Sequence, residues 1–298
     1  MSSHTRELAP AKLNMALSVG VIDDACGLHP ISSWMLTVDF YDELQVTRLA
    51  EDSISRYAIE WHADAIRTTE IDWRITDDLA VRAHLAIERY VGRQLPVQLR
   101  TLKRIPTGSG LGGGSSDAAA MLRACNRLFE LELDDASLQL IARSIGSDVP
   151  FLVRGGSALV SGFGERIEPI EAAGSPAVLI LPESACPTGS IYRRFDELGG
   201  AQLRAEEVAI AVQGGALFND LTESAFQEAG ELRSLASSIH ASTGREIHLS
   251  GSGSTMFITC DTPAEAGEIA LEITDAHNVP TVPVRPIMIE YDTIETNN

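Results

Sequence analysis

The sequence predicts an α+β protein, and three observations carry that prediction. Segments alternating apolar and polar residues, as strands do, are interspersed with segments of helical period, without strict strand–helix–strand alternation. The 298 residues, 44% of them hydrophobic, suffice for one large core or two modest ones. A small, uncharged, proline-terminated stretch, Ala172-Ala-Gly-Ser-Pro176, marks a boundary, giving expected domains of residues 1–172 and 173–298.

The elements follow in order. Leu13, Met15, Leu17, Val19 and Val21 share one face of a strand over 12–21, which places Lys12 and Asn14 together on the other face. A second strand spans 36–49, with acidic breaks at Asp39 and Asp42-Glu43. Asp77-Asp78 open a helix that turns Leu79, Ala83, Ala86, Ile87 and Tyr90 inward. Residues 97–105 carry three cations and read as a half-exposed strand. Ala118, Met121, Leu122, Cys125, Leu128 and Phe129 form the apolar stripe of the next helix. Asp134 or Asp135 caps another, with Leu138, Ile141, Ala142 and Ile145 inward and Gly146 as its stop. Short strands are expected at 151–153 and 158–160. Beyond the boundary, strands fit 178–181, 246–249, 255–259 and 284–290, and helices fit 205–212, 220–229, 232–238 and 263–274.

Between the strand at 97–105 and the helix after it lies Pro106-Thr-Gly-Ser-Gly-Leu-Gly-Gly-Gly-Ser-Ser116. Glycine backbone curls tightly and presents several N–H groups to one anion, and a helix N-terminus directly behind adds unpaired donors. This is a phosphate cradle. Gly108, Gly110 and Gly113 match the dinucleotide pattern, with Glu130 and Glu132 near the ribose distance, but the preceding strand is too polar for that fold. A Walker A loop is excluded, because no lysine follows Gly114.

Charge and cysteine content narrow the classes further. A formal net charge of −19 argues against non-specific binding to nucleic acid or anionic membrane. Cys26, Cys125, Cys186 and Cys260 form no C-x-x-C pair, so neither a zinc site nor a disulfide scaffold is expected. Residues 13–22 are too few for a membrane span and lack the flanks of a signal peptide, so a cytoplasmic protein is expected. Without heptads, a coiled-coil dimer is not expected; monomer and homodimer both remain open. Of 23 cationic residues only Lys12 and Lys103 are lysine, which marks both as places where a compact ammonium suits and a planar fork does not.

The glycine tract resembles the nucleotide loop of the GHMP small-molecule kinases. Further similarities lie at Pro10-Ala-Lys-Leu-Asn14, Gly146-Ser-Asp-Val-Pro150, Gly155-Gly-Ser-Ala158, Gly162-x-Gly164-Glu165, Asn219-Asp-Leu221 and Leu249-Ser-Gly-Ser-Gly253, nearly the whole chain. The resemblance implies the two-domain GHMP kinase fold: a ribosomal-protein-S5-like N-terminal domain, a ferredoxin-like C-terminal domain, and the site between them. It implies ATP as phosphoryl donor with Mg²⁺, and it is strongest to the branch whose acceptor is a cytidine diphosphate-linked methylerythritol.

By the same resemblance Lys12 is the catalytic lysine and Asp148 the general base, while Lys103 lies beside ATP. The ATP loop comprises Pro106, Thr107, Gly108, Ser109, Gly110, Leu111, Gly112, Gly113, Gly114, Ser115 and Ser116, with the Ser115 hydroxyl as the candidate metal contact or an ordinary cap. Acceptor binding is implied for Asn14, Leu28, His29, Thr188, Tyr192, Gly251, Ser252 and Gly253. Three positions depart from the pattern: Leu28 stands for a stacking tyrosine in a segment that also lacks two arginines, Asp78 for an asparagine at the adenine, and Ser254 for a proline. Leu28 and Asp78 keep open a GHMP kinase for a different alcohol and a nucleotide-binding regulator without catalysis.

Overall fold

The computed structural model describes residues 3–171, 174–184 and 186–288. The boundary expected at 172/173 lies outside the described residues, as do positions 289 and 290 of the last expected strand. The first strand is longer than its apolar alternation indicated: β1 (His4–Val19) pairs antiparallel with β2 (Ile31–Arg48) along nearly its whole length. Its two faces feed two cores. Leu17 and Val19 belong to one and Leu13 and Met15 to the other, not to the single face expected, because the pairing with β2 shifts register between Asn14 and Ala16. The acidic residues of β2 do not break it, because each carboxylate meets a cation: Asp39 meets Arg285, Asp42 meets Lys103, and Glu43 meets Arg6.

A strand absent from the sequence reading, β3 (Arg56–Trp61), runs parallel to β4 (Val97–Lys103), and α1 (Leu79–Val91) makes the crossover between them. Asp78 caps α1, its carboxylate accepting from the N–H groups of Ala80 and Val81, and Gly92 ends it in the left-handed conformation. Tyr90, expected inward, is 47% exposed on the last turn. The apolar stripe of α2 (Gly113–Leu128) is buried throughout. Asp134 caps α3 (Asp135–Ala142), which ends short of Gly146.

The strand expected at 151–153 is instead part of a helix, α4 (Val149–Arg154). A short apolar run fits a buried strand and a buried helix equally well. Two features favour the helix here: Pro150 in its first turn, and Arg123 of α2, which donates to the carbonyls of Leu152 (2.9 Å) and Val153 near its end. The hairpin β5 (Ser157–Gly162) and β6 (Arg166–Pro169) follows.

The second half contains β7 (Ala177–Ile180), α5 (Thr188–Glu197), α6 (Ala205–Val212), β8 (Phe218–Asn219), α7 (Thr222–Glu228), α8 (Gly230–Thr243), β9 (His248–Leu249), β10 (Met256–Thr259), α9 (Pro263–His277), β11 (Thr281–Val284) and β12 (Pro286–Ile287). Helix α5 had no counterpart in the sequence reading. The larger sheet runs β3-β4-β2-β1-β8, with β5 and β12 also on β2 and β6 on β5. The smaller is an antiparallel sheet in the order β11-β7-β10-β9. Because β8 and β12 join the larger sheet, that sheet is not built from residues 1–172 alone. Leu179 and Phe257 of the smaller sheet pack with Leu13 and Leu36 of the larger, so the two units share a core beneath the site.

Candidate active site

Buried charge fixes the entrance to the glycine loop. At the exit of β4, one oxygen of Asp42 accepts from the N–H groups of Arg104 and Ile105, the latter at 2.8 Å. Its other oxygen takes the Lys103 ammonium, which also donates to Asp117 of α2 at 2.6 Å. Burial opposes the charge on Lys103, but Asp117 and Asp42 outweigh it and hold the ammonium above the ordinary lysine range. Burial pushes the Asp117 carboxyl up against the pull of Lys103, and the nearby Asp42 adds to that rise. Lys103, expected to serve the nucleotide, borders the cavity, but its charge is committed to two carboxylates that clasp strand to helix. Asp117 is the α2 side of that clasp.

Gly108, Gly110 and Gly112 all take positive φ, between 64° and 78°. At Gly110 a side chain is impossible: its Cβ would stand 2.1 Å from the carbonyl oxygen of Ser250. The loop after β9 locks the cradle from above, with Ser250 Oγ donating to Gly110 O at 3.1 Å and Thr255 N to Ser109 O at 3.0 Å. Asn219 holds that loop in turn, donating to the carbonyls of Leu249 and Gly251, both at 2.8 Å. Helix α2 begins at Gly113 without a side-chain cap, and its first internal bond runs from Ser116 N to Gly112 O. The N–H groups of Gly113, Gly114 and Ser115 therefore have no acceptor within the helix, and these residues border the cavity.

Facing the cradle, Lys12 Nζ lies 3.8 Å from Asp148 Oδ2 and 2.5 Å from Asn14 Oδ1. Asn14 Nδ2 donates to Ser33 Oγ at 2.8 Å, which fixes the amide so that its oxygen meets the ammonium. Burial pulls the Lys12 pKa down, with Asp148 opposing. Asp148 occupies the cap position of α4, yet its carboxylate makes no capping bond and is left for Lys12 and the cavity. Behind it the β5–β6 turn closes tightly: a Cβ on Gly164 (φ 100°) would stand 2.3 Å from the carbonyl oxygen of Ser147.

The third wall is the face of α5 with the loop before β2. His29 is held from three sides, by Gly20 O at 2.9 Å, by Asp196 at 3.4 Å and by the Tyr192 ring, 5.1 Å between centroids. Burial, and next the charge of Asp148, push the Tyr192 phenol up to about 12. Leu28 is half exposed at the rim, and Thr188 Oγ1 meets Ser252 Oγ at 3.1 Å.

These walls enclose a cavity of about 820 Å³, lined by Lys12, Asn14, Lys103, Ser115 and Asp148. Pro106, Thr107, Gly108, Ser109, Gly110, Gly112, Gly113 and Gly114 line one end; Leu28, His29, Thr188, Tyr192, Gly251 and Ser252 line the other. Three expected contacts fall behind the wall. Leu111 is fully buried in the core, Ser116 is fully buried inside α2, and Gly253 faces Leu249 and Cys186. Each sits where the chain has already turned from cavity to core. The sequence reading missed Asp42, Asp196 and Trp73, which borders the nucleotide end with its Nε1 donating to Asp78 at 3.2 Å. Among the described residues no group of three or more His, Cys, Asp or Glu could hold a metal.

A backbone cradle at a helix mouth, facing a buried lysine–aspartate pair, defines a small-molecule kinase of the GHMP class. The family model for the GHMP kinases N terminal domain matches residues 78–156. A 4-diphosphocytidyl-2-C-methyl-D-erythritol kinase of Chlorobaculum parvum is 31% identical over 293 residues, covering 94% of this chain and 97% of its own. That of Cutibacterium acnes is 33% identical over 294 residues, covering 91% and 90%. A crystal structure of 4-(cytidine 5'-diphospho)-2C-methyl-D-erythritol kinase superposes with a TM-score of 0.75 at 30% identity, over 95% of this chain and 99% of that one. L. major mevalonate kinase, at 14% identity and a TM-score of 0.67 over 96% of this chain and 98% of its own, shares the fold. The chain belongs to the 4-diphosphocytidyl-2-C-methyl-D-erythritol kinase family.

Proposed function

We propose that the protein transfers the γ-phosphoryl group of ATP to the 2-hydroxyl of 4-diphosphocytidyl-2-C-methyl-D-erythritol, a step of non-mevalonate isoprenoid precursor biosynthesis. The observation that carries this reading is the Lys12–Asp148 pair, 3.8 Å apart, set between the phosphate cradle and the pocket of Leu28, His29 and Tyr192. In the reaction the acceptor oxygen bonds to the γ-phosphorus as the bond to the β-phosphate oxygen breaks, releasing ADP. Asp148 accepts the hydroxyl proton. The Lys12 ammonium offsets charge on the alkoxide as it develops, and the N–H groups of Gly113, Gly114 and Ser115 meet the phosphate oxygens. Loop 249–253, tied to the cradle through Ser250 and Gly110, holds it in shape for the phosphates.

Bound Mg²⁺ would offset the charge of the phosphates, with the Ser115 hydroxyl as the protein group beside it and water as most of its remaining ligands. A site with a hydroxyl at a helix mouth, Ser115, and, among the described residues, no group of three or more His, Cys, Asp or Glu suits a cation held mainly by phosphate and water. No helix among the described residues is long and apolar enough to cross a membrane. A reducing cytosol suits cysteines that are all free.

The acceptor panel tests the reading. The cytidyl-linked alcohol is expected to be turned over with a kcat/KM orders of magnitude above mevalonate, homoserine or galactose, because a polar pocket rejects analogues that leave its groups unpaired. Comparable turnover of any of the three would reassign the acceptor. Absence of turnover on all four, with MgATP bound, would indicate a regulator without catalysis.

A further inference from the structure

The charge on the cavity wall leaves one cation without a carboxylate. Lys103 is neutralised by Asp42 and Asp117, and Lys12 faces Asp148. Arg193, exposed on the cavity face of α5, has no ion pair among the described residues; its one hydrogen bond is to Ser190 Oγ at 3.2 Å. Its neighbour Arg194, off the cavity, is paired with both Glu197 and Glu228. In a chain of net charge −19, a free guanidinium at the mouth of this cavity offers what a polyanion needs there.

Its position along α5 says which part of a ligand it meets. At the start of the helix Thr188 bonds Ser252, beside Gly251, where an added Cβ would stand 3.0 Å from Lys12 Nζ. That end belongs to the reacting centre. Near the other end Asp196 holds His29 against Tyr192, the two residues that the family resemblance sets around the cytosine. At a rise of about 1.5 Å per residue, Arg193 lies about 7.5 Å from Thr188 and about 4.5 Å from Asp196 along the axis. A diphosphate joining a base near His29 to an alcohol near Asp148 must cross this interval. The geometry points to Arg193 as the residue that binds the diphosphate of the acceptor, an inference that rests on the acceptor proposed above. A planar fork of N–H donors matches two phosphate oxygens at once.

Calorimetric titration of the whole protein with cytidine 5′-diphosphate and with cytidine separates the inference from the reading beneath it. The wild type is expected to bind the diphosphate more tightly than the nucleoside. Arg193→Gln should lose about ten-fold in affinity for the diphosphate and nothing for cytidine, the usual worth of a hydrogen bond to a charged group. Arg193→Lys, which keeps the charge but not the fork, should recover part of the loss. In steady-state assays the loss should fall on the acceptor KM rather than on kcat. An Arg193→Gln protein with the wild-type preference for the diphosphate would overturn the assignment of Arg193. A wild type indifferent to the diphosphate would overturn the acceptor itself, and Arg193 with it.

Discussion

Asp148→Asn is expected to lower kcat by about 10² to 10⁴-fold, the usual worth of a positioned base, while MgATP binding persists. The carboxylate touches the chemistry and little else. It makes no cap bond to α4, and its partner is Lys12 at 3.8 Å. The fold therefore does not depend on it, and the amide is nearly isosteric. What changes is basicity: an amide cannot take the hydroxyl proton, and Lys12 loses its counter-charge in a site where burial already pulls its pKa down. Single-turnover rates with the cytidyl-linked alcohol, alongside calorimetry with MgATP, check both halves. Turnover near wild type would remove Asp148 from the role of base.

Lys103→Met should have the largest effect on stability, about 3–5 kcal/mol, because it strands two buried carboxylates. Asp42 and Asp117 side chains are at most 3% exposed, so water cannot replace the ammonium. The folded protein relieves the strain by binding protons, since burial already pushes the Asp117 carboxyl up. Urea unfolding of the two proteins measures the difference. The same clasp sets where β4 ends and α2 begins, so MgATP affinity should fall in parallel. A variant as stable as the wild type would mean that Lys103 is kept for the nucleotide alone.

The residues that announce themselves in the sequence are those with one local explanation. Gly110 and Gly112 mark a turn because no other residue adopts their backbone at that closeness, and Asp134 marks a helix start by its own cap bond. Lys12 and Asn14 fall on one strand face by simple alternation, and the structure joins them through a hydrogen bond. What stayed hidden depends on partners far along the chain. Asp42 looks like a break in a strand until Lys103, 61 residues away, supplies its counter-charge. Residues 151–153 read as a strand until Arg123 meets the carbonyls of a helix there. Arg193 and Asp196 lie on a short helix, α5, that buries only Ile191 and Phe195, one i,i+4 pair in an otherwise polar segment. Their importance arises only where that helix faces the loop carrying His29.

Phosphorus NMR of the products tests phosphoryl transfer to the cytidyl-linked alcohol most directly. With the protein, MgATP and 4-diphosphocytidyl-2-C-methyl-D-erythritol, one new phosphomonoester resonance should grow in step with ADP while the acceptor diphosphate signals persist. ADP formed without a new ester, or an ester formed equally well on an alcohol lacking the cytidyl group, would contradict it.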